Sequence, residues 1–259
     1  MGRRKLDSLR VILTGASSGI GFELAKQLLK KKCRLVVTAR REEHLDRLRQ
    51  HVLDQEQLEV VPGDITDPSI RRRLITASLE RFGGLDMLIN NAGVSGLGKF
   101  VDSSESCLRK IMEVNFFAPV EMIRLAVPEL EKGTKPIIVN ISSVLGHRAV
   151  PEKSEYCASK FALHGFSDSL RAELAGRIDV LLVSPSTTQS EFFENVVENH
   201  SQRDWTPKKA MLPEVVARKT LQAIRAGKHE VILTMGAKGL VLLDRLAPTI
   251  ADKMVQRFG

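Results

Sequence analysis

Apolar residues in this chain fall into short continuous runs, and between the runs they recur at helical intervals. The runs occupy residues 11–13, 35–37, 58–61, 85–89, 137–139, 180–183 and 231–233. Between the first two, Ile20, Leu24 and Leu28 are spaced four residues apart, as on one face of a helix. Short apolar runs that alternate with helices are typical of a parallel sheet buried on both faces. The pattern predicts the α/β class, with a Rossmann-type doubly wound sheet of about seven strands flanked by helices, in one domain over residues 1–259.

Residues 185–211 depart from this alternation and follow the sixth predicted strand. The segment is polar and irregular, yet it contains the apolar residues Phe192, Phe193, Val196, Val197 and Trp205. In doubly wound sheets, a long segment after the carboxyl end of a strand commonly covers a ligand. We therefore expect a substrate flap, whose apolar side chains either contact an apolar substrate or pack the flap against the body.

Residues 236–259 form an amphipathic C-terminal extension. The pattern predicts a helix whose apolar side chains are Leu243, Leu246, Ala247, Ile250, Met254 and Phe258. The basic side chains of the same segment are Lys238, Arg245, Lys253 and Arg257. Such a helix suits peripheral contact with an anionic membrane surface. It equally suits a cover over the substrate pocket, a subunit interface or a terminal helix docked on the body.

Composition narrows the class of protein. The chain has 259 residues, of which 43% are hydrophobic and 27% charged, and this excludes long disordered segments. The net charge of +8 is concentrated at the ends, because residues 200–259 carry +6 and residues 1–10 carry +3. A nucleic-acid-binding domain usually carries its basic stripe through the folded body. We therefore expect no nucleic-acid partner.

Cysteine, histidine and hydropathy patterns indicate the compartment. Cys33, Cys107 and Cys157 cannot all pair, which favours a reducing environment. The six histidines are scattered, without a pair at helical spacing of three or four residues, so no metal site is expected. The sequence also lacks an apolar run of about 18 residues and a signal-peptide pattern. We expect a cytoplasmic protein, with peripheral membrane association as the alternative.

A glycine-rich turn, TGASSGIG at residues 14–21, directly follows the first predicted strand and opens the first helix. Backbone N–H groups and the helix dipole at such a turn favour an anion, and glycine allows close approach. The turn predicts a site for the pyrophosphate of a dinucleotide, against the alternative of an ordinary glycine-rich connection. Its contacts would come from Gly15, Ser17, Ser18, Gly19, Ile20 and Gly21.

The end of the second predicted strand bears on which dinucleotide is bound. An NAD-binding unit normally has an acidic residue here, where it holds the ribose 2′-hydroxyl. This chain instead has Arg40 and Arg41, and an arginine can pair with a 2′-phosphate through two parallel hydrogen bonds. We expect NADP(H) as the cofactor, with NAD(H) as the less favoured choice. The competing interpretation, a solvated start of the second helix, is favoured for Arg41 alone.

Tyr156 is the single tyrosine of the chain, and Lys160 follows it by four residues. At that spacing on a helix the two side chains lie on one face. A phenol has a pKa of about 10 and exchanges protons poorly at neutral pH, but an adjacent cation lowers that pKa. Ser143 follows the fifth predicted strand, at the carboxyl edge of the sheet beside the expected cofactor. Its hydroxyl can hydrogen-bond a carbonyl oxygen and the alkoxide formed from it.

Taken in order, these motifs resemble the short-chain dehydrogenase/reductase family over about residues 9–190. The matching elements are the glycine turn, Asp64 in GDI, Asn91 in NNAG, Asn115, Ser143 in ISS, and Tyr156 with Lys160 in YCASK. The resemblance implies a Rossmann fold that binds a nicotinamide dinucleotide and transfers hydride to or from its C4 atom. Each central motif of the family is present in the matched region.

The resemblance also implies a role for each central residue. Tyr156 would donate the proton in reduction and accept it in oxidation, and Ser143 would orient the carbonyl group. Lys160 would lower the pKa of Tyr156 and hold the ribose hydroxyls of the nicotinamide half. Asn115 would connect Lys160 to solvent through a water molecule, although by itself it is also consistent with a packing residue in a helix interior.

Further cofactor contacts are implied at the carboxyl edge of the sheet. They are Asp64 and Ile65 near the adenine, Asn91, Ala92 and Gly93 after the fourth strand, and Pro185, Thr188 and Ser190 after the sixth. Two positions depart from the family pattern. Ser186 stands where glycine is usual, and Ser190 replaces the threonine that commonly bonds the nicotinamide carboxamide. A serine hydroxyl can make the same bond.

The expected function is that of an NADP(H)-dependent oxidoreductase that interconverts a carbonyl and a secondary alcohol. The flap favours an apolar substrate of steroid, retinoid or fatty-chain type. The resemblance implies a homodimer or homotetramer formed through the helices that contain Asn115 and Tyr156. A non-catalytic nucleotide-binding or scaffold protein on the same fold is the alternative. It is disfavoured because Ser143, Tyr156 and Lys160 are all present.

Overall fold

The structure is a computed structural model that describes residues 4–52, 54–189, 191–193, 196–203 and 210–256. Within them, seven parallel strands form one sheet in the order β3-β2-β1-β4-β5-β6-β7. The strands are β1 (Arg10–Thr14), β2 (Arg34–Thr38), β3 (Leu58–Val60), β4 (Met87–Asn90), β5 (Ile137–Ile141), β6 (Asp179–Ser184) and β7 (Glu230–Ile232). The prediction of a Rossmann-type doubly wound sheet of about seven strands is confirmed.

Helices connect the strands and cover both faces of the sheet. They are α1 (Gly19–Leu29), α2 (Glu42–Asp46), α3 (Pro68–Phe82), α4 (Glu105–Met112), α5 (Ala118–Leu130), α6 (Ser154–Glu173), α7 (Pro213–Arg225), α8 (Met235–Leu246) and α9 (Pro248–Gln256). A π-helical turn, Glu113–Phe117, joins α4 to α5. None of the helices in the described ranges is long and apolar enough to cross a bilayer.

The continuous apolar runs are explained by burial of the sheet on both faces. Val11 and Leu13 of β1 belong to the core that α1 and α7 cover, whereas Ile12 between them belongs to the core that α3 and α5 cover. Neighbouring side chains of a strand point to opposite faces of the sheet. When both faces are buried, the strand therefore reads as a continuous apolar run and not as an alternation of apolar and polar residues. Every residue of β4 and β5 is buried for this reason.

A buried chain of polar side chains fixes α6 on the centre of the sheet. The Asn90 amide nitrogen donates to the Asn140 side-chain oxygen at 2.9 Å, and the Asn140 amide nitrogen donates to the Ser167 hydroxyl oxygen at 2.9 Å. Ser167 in turn donates to the Leu163 carbonyl of its own helix. Apart from the Asn90 side-chain oxygen, which has no hydrogen-bond partner among the described residues, this buried network is satisfied, and such a network favours a single packing arrangement. It therefore sets the position of α6, on which Tyr156 lies.

The C-terminal extension forms two helices, so the prediction of one continuous helix is wrong. Pro248 begins α9, and the chain leaves helical geometry at Ala247 because a proline ring cannot follow a continuing helix. The break changes which face of the extension is buried. Leu246 and Ile250, which were predicted to lie on its apolar face, are exposed. The buried side chains are Ala237, Val241, Ala251 and Val255. The predicted positions Arg257 and Phe258 lie outside the described residues.

The extension docks on the loop that follows β5. Ala237 and Val241 pack against Val144. The Arg148 guanidinium pairs with the carboxylates of Asp244 in α8 and Asp252 in α9, the first at 2.8 Å. Of the interpretations offered for this segment, docking on the body is therefore observed.

The flap at residues 185–211 is anchored to the body at several points. Asn199 of the flap pairs with Leu97 of the body through an isolated bridge, and a second bridge, between Thr188 and Met211, ties the two ends of the flap to each other. Val197 packs against the cluster that includes Val94 and Ile111, so this side chain serves to pack the flap. Trp205 and the side chain of Phe193 lie outside the described part of the chain.

Candidate active site

A cleft of about 640 Å³ lies at the carboxyl ends of the strands, where the strand order reverses between β1 and β4. The predicted residues that line it are Gly15, Ser17, Ser18, Gly19, Ile20, Arg40, Asp64, Ile65, Asn91, Ala92, Gly93, Ser143, Tyr156, Lys160, Pro185 and Thr188. Gly21 and Asn115 lie behind this lining, and Ser190 is outside the described residues. The topological switch point is where doubly wound sheets bind their ligands.

Close packing explains the glycines of the first turn. Gly15 has a positive φ of 69°, and its backbone N–H donates to the Thr38 carbonyl. A Cβ atom at Gly21 would lie 2.1 Å from the Gly15 carbonyl oxygen and 2.5 Å from the Asn91 amide nitrogen. That same Asn91 nitrogen donates to the carbonyls of Thr14 and Gly15. The start of α1 is thus held directly against the ends of β1 and β4.

This turn presents the features that a pyrophosphate requires. Ser18 is the N-cap of α1 but its side chain makes no capping bond within the described structure, so the first N–H groups of an 11-residue helix face the cleft. Two buried hydroxyls that line the cleft, on Thr38 and Ser142, have no hydrogen-bond partner among the described residues. Uncapped N–H groups and unpaired hydroxyls fit a large polar ligand such as a dinucleotide.

The two arginines after β2 differ in their surroundings. Arg40 is exposed at the cleft and pairs with no acidic residue in the described ranges. Arg41 donates to the Glu191 carboxylate of the flap at 2.7 Å. Arg41 is the N-cap of α2 and its side chain stays 38% exposed, so the interpretation of a solvated start of the second helix still fits, and the structure adds a contact with a flap residue 150 positions away. This ion pair bridges the mouth of the cleft from β2 to the flap.

Asp64 lies beside Gly63 and Ile65 in the cleft wall. Burial alone would raise the pKa of Asp64, but hydrogen bonds from the Thr66 N–H and hydroxyl and the nearby Lys110 ammonium lower it below its usual range. The Lys110 nitrogen is 3.3 Å from the carboxylate. Asp64 is therefore an ionised acceptor that the structure already holds in one orientation.

Ser143, Tyr156 and Lys160 meet at the base of the cleft. The Ser143 hydroxyl lies close enough to the Tyr156 phenol to act on its pKa, and the Lys160 nitrogen lies 5.7 Å from the centre of the Tyr156 ring. The Lys160 ammonium also donates to the Ile141 carbonyl at 3.1 Å. Ser143 follows β5 and the other two residues lie on α6, so the spatial arrangement expected from the sequence is present.

Burial dominates the protonation behaviour of these groups. It raises the pKa of Tyr156 above its usual range, with the Ser143 hydrogen bond acting in the opposite direction. It lowers the pKa of Lys160 to about 8. In both cases the low-dielectric surroundings disfavour the charged form. Lys160 still keeps its positive charge in most molecules at neutral pH.

Asn115 is fully buried in the π-helical turn between α4 and α5. Its side-chain oxygen accepts from the Val94 N–H, and its amide nitrogen donates to the Val94 carbonyl and to the Ser159 hydroxyl. Asn115 therefore connects the loop after β4 to α6, next to Lys160. Both amide hydrogens are used within the protein, so a relay water would have to be held by an oxygen of Asn115.

Among the cleft residues that the sequence analysis did not assign to it, Lys153 and Glu191 are charged. Lys153 is buried in its wall, and burial lowers the pKa of this ammonium to about 8, against a small opposing effect of Cys157. No local pattern marks a buried lysine in a sequence. Glu191 is the second, and its approach to Arg41 depends on the path of the flap.

The flap contributes an aromatic residue to the catalytic end of the cleft. Phe192 lines the cleft, and its ring packs edge-on against the Tyr156 ring with centres 5.7 Å apart. Val94, Leu145 and Val150 complete an apolar wall nearby. Of the two interpretations of the flap's apolar side chains, ligand contact fits Phe192 and packing fits Val197.

Comparison with known proteins identifies the family. Residues 10–201 match the family model of short chain dehydrogenases. The human protein "Dehydrogenase/reductase SDR family member 7" is 38% identical over 204 residues, which cover 75% of this chain and 60% of the human protein. The Drosophila melanogaster "Dehydrogenase/reductase SDR family protein 7-like" is 32% identical and covers 96% of this chain and 79% of its own length.

Solved structures share the fold. A short-chain dehydrogenase from Burkholderia phymatum in complex with NAD superposes with a TM-score of 0.84 at 23% identity, covering 95% of this chain and 96% of its own. One from Burkholderia cenocepacia in complex with NADP has a TM-score of 0.82, also at 23% identity, covering 97% and 99%. This chain belongs to the short-chain dehydrogenase/reductase family of oxidoreductases.

Proposed function

We propose that this protein is an NADP(H)-dependent oxidoreductase that interconverts a carbonyl group and a secondary alcohol. The observation that carries the proposal is the meeting of Ser143, Tyr156 and Lys160 in a cleft that begins at an uncapped helix N-terminus. A protein that only binds nucleotides has no need of a serine and a tyrosine side by side next to a buried lysine. The scaffold alternative therefore has less support.

The chain's own residues supply the proton chemistry. When bound, the nicotinamide supplies or accepts the hydride. In reduction, the electron pair of the carbonyl bond moves to the substrate oxygen, which Ser143 holds and to which Tyr156 donates its hydroxyl proton. The Lys160 charge stabilises the phenolate that results. In oxidation each proton transfer runs in reverse, and Asn115 positions α6 against the loop after β4 in both directions.

The preference for NADP(H) over NAD(H) rests on Arg40. This guanidinium is exposed in the cleft near the end of β2 and is not engaged by an acidic side chain in the described ranges. Arg41 already holds Glu191, which leaves Arg40 as the cation for a 2′-phosphate. The family neighbours include complexes with NAD and with NADP, so the choice is a property of each chain.

A titration with both cofactors tests this assignment. We expect NADPH to bind at least about tenfold more tightly than NADH, a difference of about 1.4 kcal/mol. The substitution Arg40→Ala should remove the preference without weakening NADH. A matched change at another exposed arginine, Arg72→Ala, should leave it intact. Equal or tighter binding of NADH by the wild type contradicts the NADP(H) assignment, and binding of neither cofactor supports the scaffold alternative.

The substrate is proposed to be an apolar carbonyl or alcohol compound of steroid, retinoid or fatty-chain type. Support comes from Phe192, Val94, Leu145 and Val150, apolar residues that line the same cleft as Tyr156, with the Phe192 ring packed against the Tyr156 ring. Burial of one such apolar side chain against a ligand contributes about 1.5–3 kcal/mol. Four contacts of this kind favour a substrate with an apolar body over a small polar one.

We propose a homo-oligomer formed through the helices that carry Asn115 and Tyr156. Phe117, the last residue of the π-helical turn that contains Asn115, and Phe161 on α6 are exposed aromatic side chains on these elements. Exposed aromatic residues on neighbouring helices are typical of subunit interfaces. Sedimentation velocity should show a dimer or tetramer that Phe161→Ser weakens. A monomeric wild type would contradict the proposal.

We propose a cytoplasmic protein with peripheral membrane contact through α8 and α9. The exposed apolar residues of these helices are Leu242, Leu246, Ile250 and Met254, and the exposed basic ones are Lys238, Arg245 and Lys253. All three cysteines are buried free thiols, as suits a reducing compartment. Apolar and cationic side chains together suit an anionic bilayer surface.

Co-sedimentation with vesicles tests the membrane contact. The protein should bind vesicles that contain phosphatidylserine, and the double substitution Leu246→Ser and Ile250→Ser should abolish binding. Val101→Ser, at an exposed apolar residue elsewhere, is the control. Point substitutions are preferable to truncation because α8 packs against Val144. A wild type that does not sediment with these vesicles refutes the contact.

A further inference from the structure

Outside the cleft, His147, His164 and Glu230 converge at the β7 edge of the sheet. One ligand atom of each lies within 4.8 Å of the other two. The Glu230 carboxylate oxygen is 3.1 Å from His147 Nε2 and 3.9 Å from His164 Nε2. The three residues come from the loop after β5, from α6 and from β7. They are far apart in sequence, which is why the spacing of the histidines did not predict a site.

The hydrogen bond at His164 Nδ1 determines whether its other nitrogen, Nε2, presents a lone pair. Nδ1 lies 3.0 Å from the Gly146 carbonyl oxygen, which can only accept, so Nδ1 carries a hydrogen. Nε2 faces two carboxylates, Asp168 at 3.4 Å and Glu230 at 3.9 Å. A lone pair directed at two anions is repelled, so Nε2 requires either a second proton or a metal ion. A backbone carbonyl on the opposite nitrogen is the usual support of a metal-binding histidine.

The charges around the cluster favour a cation. Asp168 and Glu230 are carboxylates, and Arg171 pairs with Asp168 at 2.8 Å, so with neutral imidazoles the formal charge is −1. His147 is almost fully buried, whereas Glu230 is exposed. The cluster is therefore open to solvent on the Glu230 side.

We propose that His147, His164 and Glu230 form a binding site for a divalent transition metal, with Zn²⁺ as the best match. Two imidazoles and a carboxylate are a common protein ligand set for zinc, and water or Asp168 would complete four-coordination. Zinc bonds of about 2.0–2.2 Å place tetrahedral ligands about 3.4 Å apart. The metal would replace the proton between His147 and Glu230, and the Ser184 hydroxyl, now 2.9 Å from His147 Nε2, would turn away.

This site would tie together the two elements that carry the catalytic residues. His147 lies four residues after Ser143, and His164 lies one helical turn after Lys160. Between them, Gly146 approaches α6 so closely that a Cβ atom there would be 2.8 Å from the Lys160 carbonyl oxygen. A metal at the cluster would therefore fasten the Ser143 loop to α6 from behind, without entering the cleft.

Zinc binding to the full chain, free of any histidine tag, tests the proposal by competition with a chromophoric chelator. We expect one Zn²⁺ per chain at this site. His164→Gln and Glu230→Gln should each weaken its binding by at least about tenfold, the scale on which even supporting changes act. His200→Gln, at an exposed histidine 3.1 Å from Glu198, is the matched control and should bind as the wild type does.

The outcomes distinguish specific zinc binding at this cluster from adventitious binding by exposed histidines. Co²⁺ in place of Zn²⁺ should give the visible absorption of a tetrahedral complex in the wild type and in His200→Gln only. Glu230 is exposed, so Glu230→Gln keeps the test valid if His164→Gln does not fold. Absence of stoichiometric zinc binding, or binding by both variants as tight as that of the wild type, overturns the proposal. The readout is independent of turnover and of the cofactor.

Discussion

The Lys160 ammonium nitrogen lies 5.7 Å from the centre of the Tyr156 ring, and burial shifts the pKa of the two groups in opposite directions. The pKa of Tyr156 rises, while that of Lys160 falls to about 8. With a raised pKa, the Tyr156 phenol stays protonated but gives up its proton reluctantly. The nearby positive charge of Lys160 favours proton transfer, because it stabilises the phenolate that is left.

The pH dependence of reduction follows from this pair. Lys160 is charged below its pKa of about 8 and neutral above it, so the phenolate loses its stabilising charge as the pH rises. We expect kcat/KM for carbonyl reduction to be flat near neutrality and to fall by about tenfold per pH unit above about pH 8. Steady-state rates across this pH range check the expectation.

Lys153 provides the control for that profile, because burial also lowers its pKa to about 8. The variant Lys153→Met should keep the decline at high pH if Lys160 is responsible. Disappearance of the decline in this variant would assign it to Lys153 instead. A profile that rises steadily through pH 9 would contradict a role for either lysine's charge.

Phe192 should contribute to substrate affinity through its position over Tyr156. The change Phe192→Ala removes apolar surface from the cleft, and we expect kcat/KM for an apolar ketone to fall by at least about tenfold, mainly through KM. Phe100→Ala makes the same truncation at an exposed residue and should have little effect. An unchanged KM in Phe192→Ala would show that the ring only packs the flap.

Asp86 should be a major contributor to stability at neutral pH. It is buried and accepts hydrogen bonds from the Arg10 backbone and guanidinium and from the Thr134 N–H. Burial opposes its ionisation, but these bonds lower the pKa of Asp86 overall. The substitution Asp86→Asn breaks a buried ion pair, and we expect the free energy of unfolding to fall by about 3 kcal/mol at neutral pH.

The sign of the pH effect on that stability is fixed by the lowered pKa. The contribution of the Asp86 carboxylate is fully present above the unfolded-state pKa of about 3.9 and is lost as the pH falls through the lower folded-state value. Urea unfolding of wild type and Asp86→Asn should therefore converge toward low pH. Asp102→Asn, at an exposed position, should match the wild type throughout. A constant difference at all pH values would show that the effect is steric.

The fold and the grouping of Ser143, Tyr156 and Lys160 in one cleft could be predicted because their signals are local. The strands are continuous apolar runs, the glycine turn lies between a strand and a helix, and Tyr156 and Lys160 are one helical turn apart. The break between α8 and α9 also had a local signal in Pro248, which a search for amphipathic spacing alone does not use. That omission reversed the burial expected for Leu246 and Ile250.

Other features arise from contacts between residues distant in sequence. The ion pair of Arg41 with Glu191 spans 150 positions, and the cluster of His147, His164 and Glu230 brings together a loop, a helix and a strand. No periodicity or spacing encodes such approaches, because the sheet order and the flap path determine them. The burial of Lys153 is of the same kind.

The central claim is that Tyr156 is the proton donor of an NADP(H)-dependent oxidoreductase. The most direct test compares wild type with Tyr156→Phe, in which only the hydroxyl is lost, by following NADPH oxidation with a panel of apolar ketones and aldehydes while NADPH binding is titrated in parallel. We expect the wild type to turn over at least one of these substrates. The variant should bind NADPH as the wild type does but lose turnover by at least about a hundredfold, the lower range of general acid catalysis. Equal turnover by the two proteins would contradict the account.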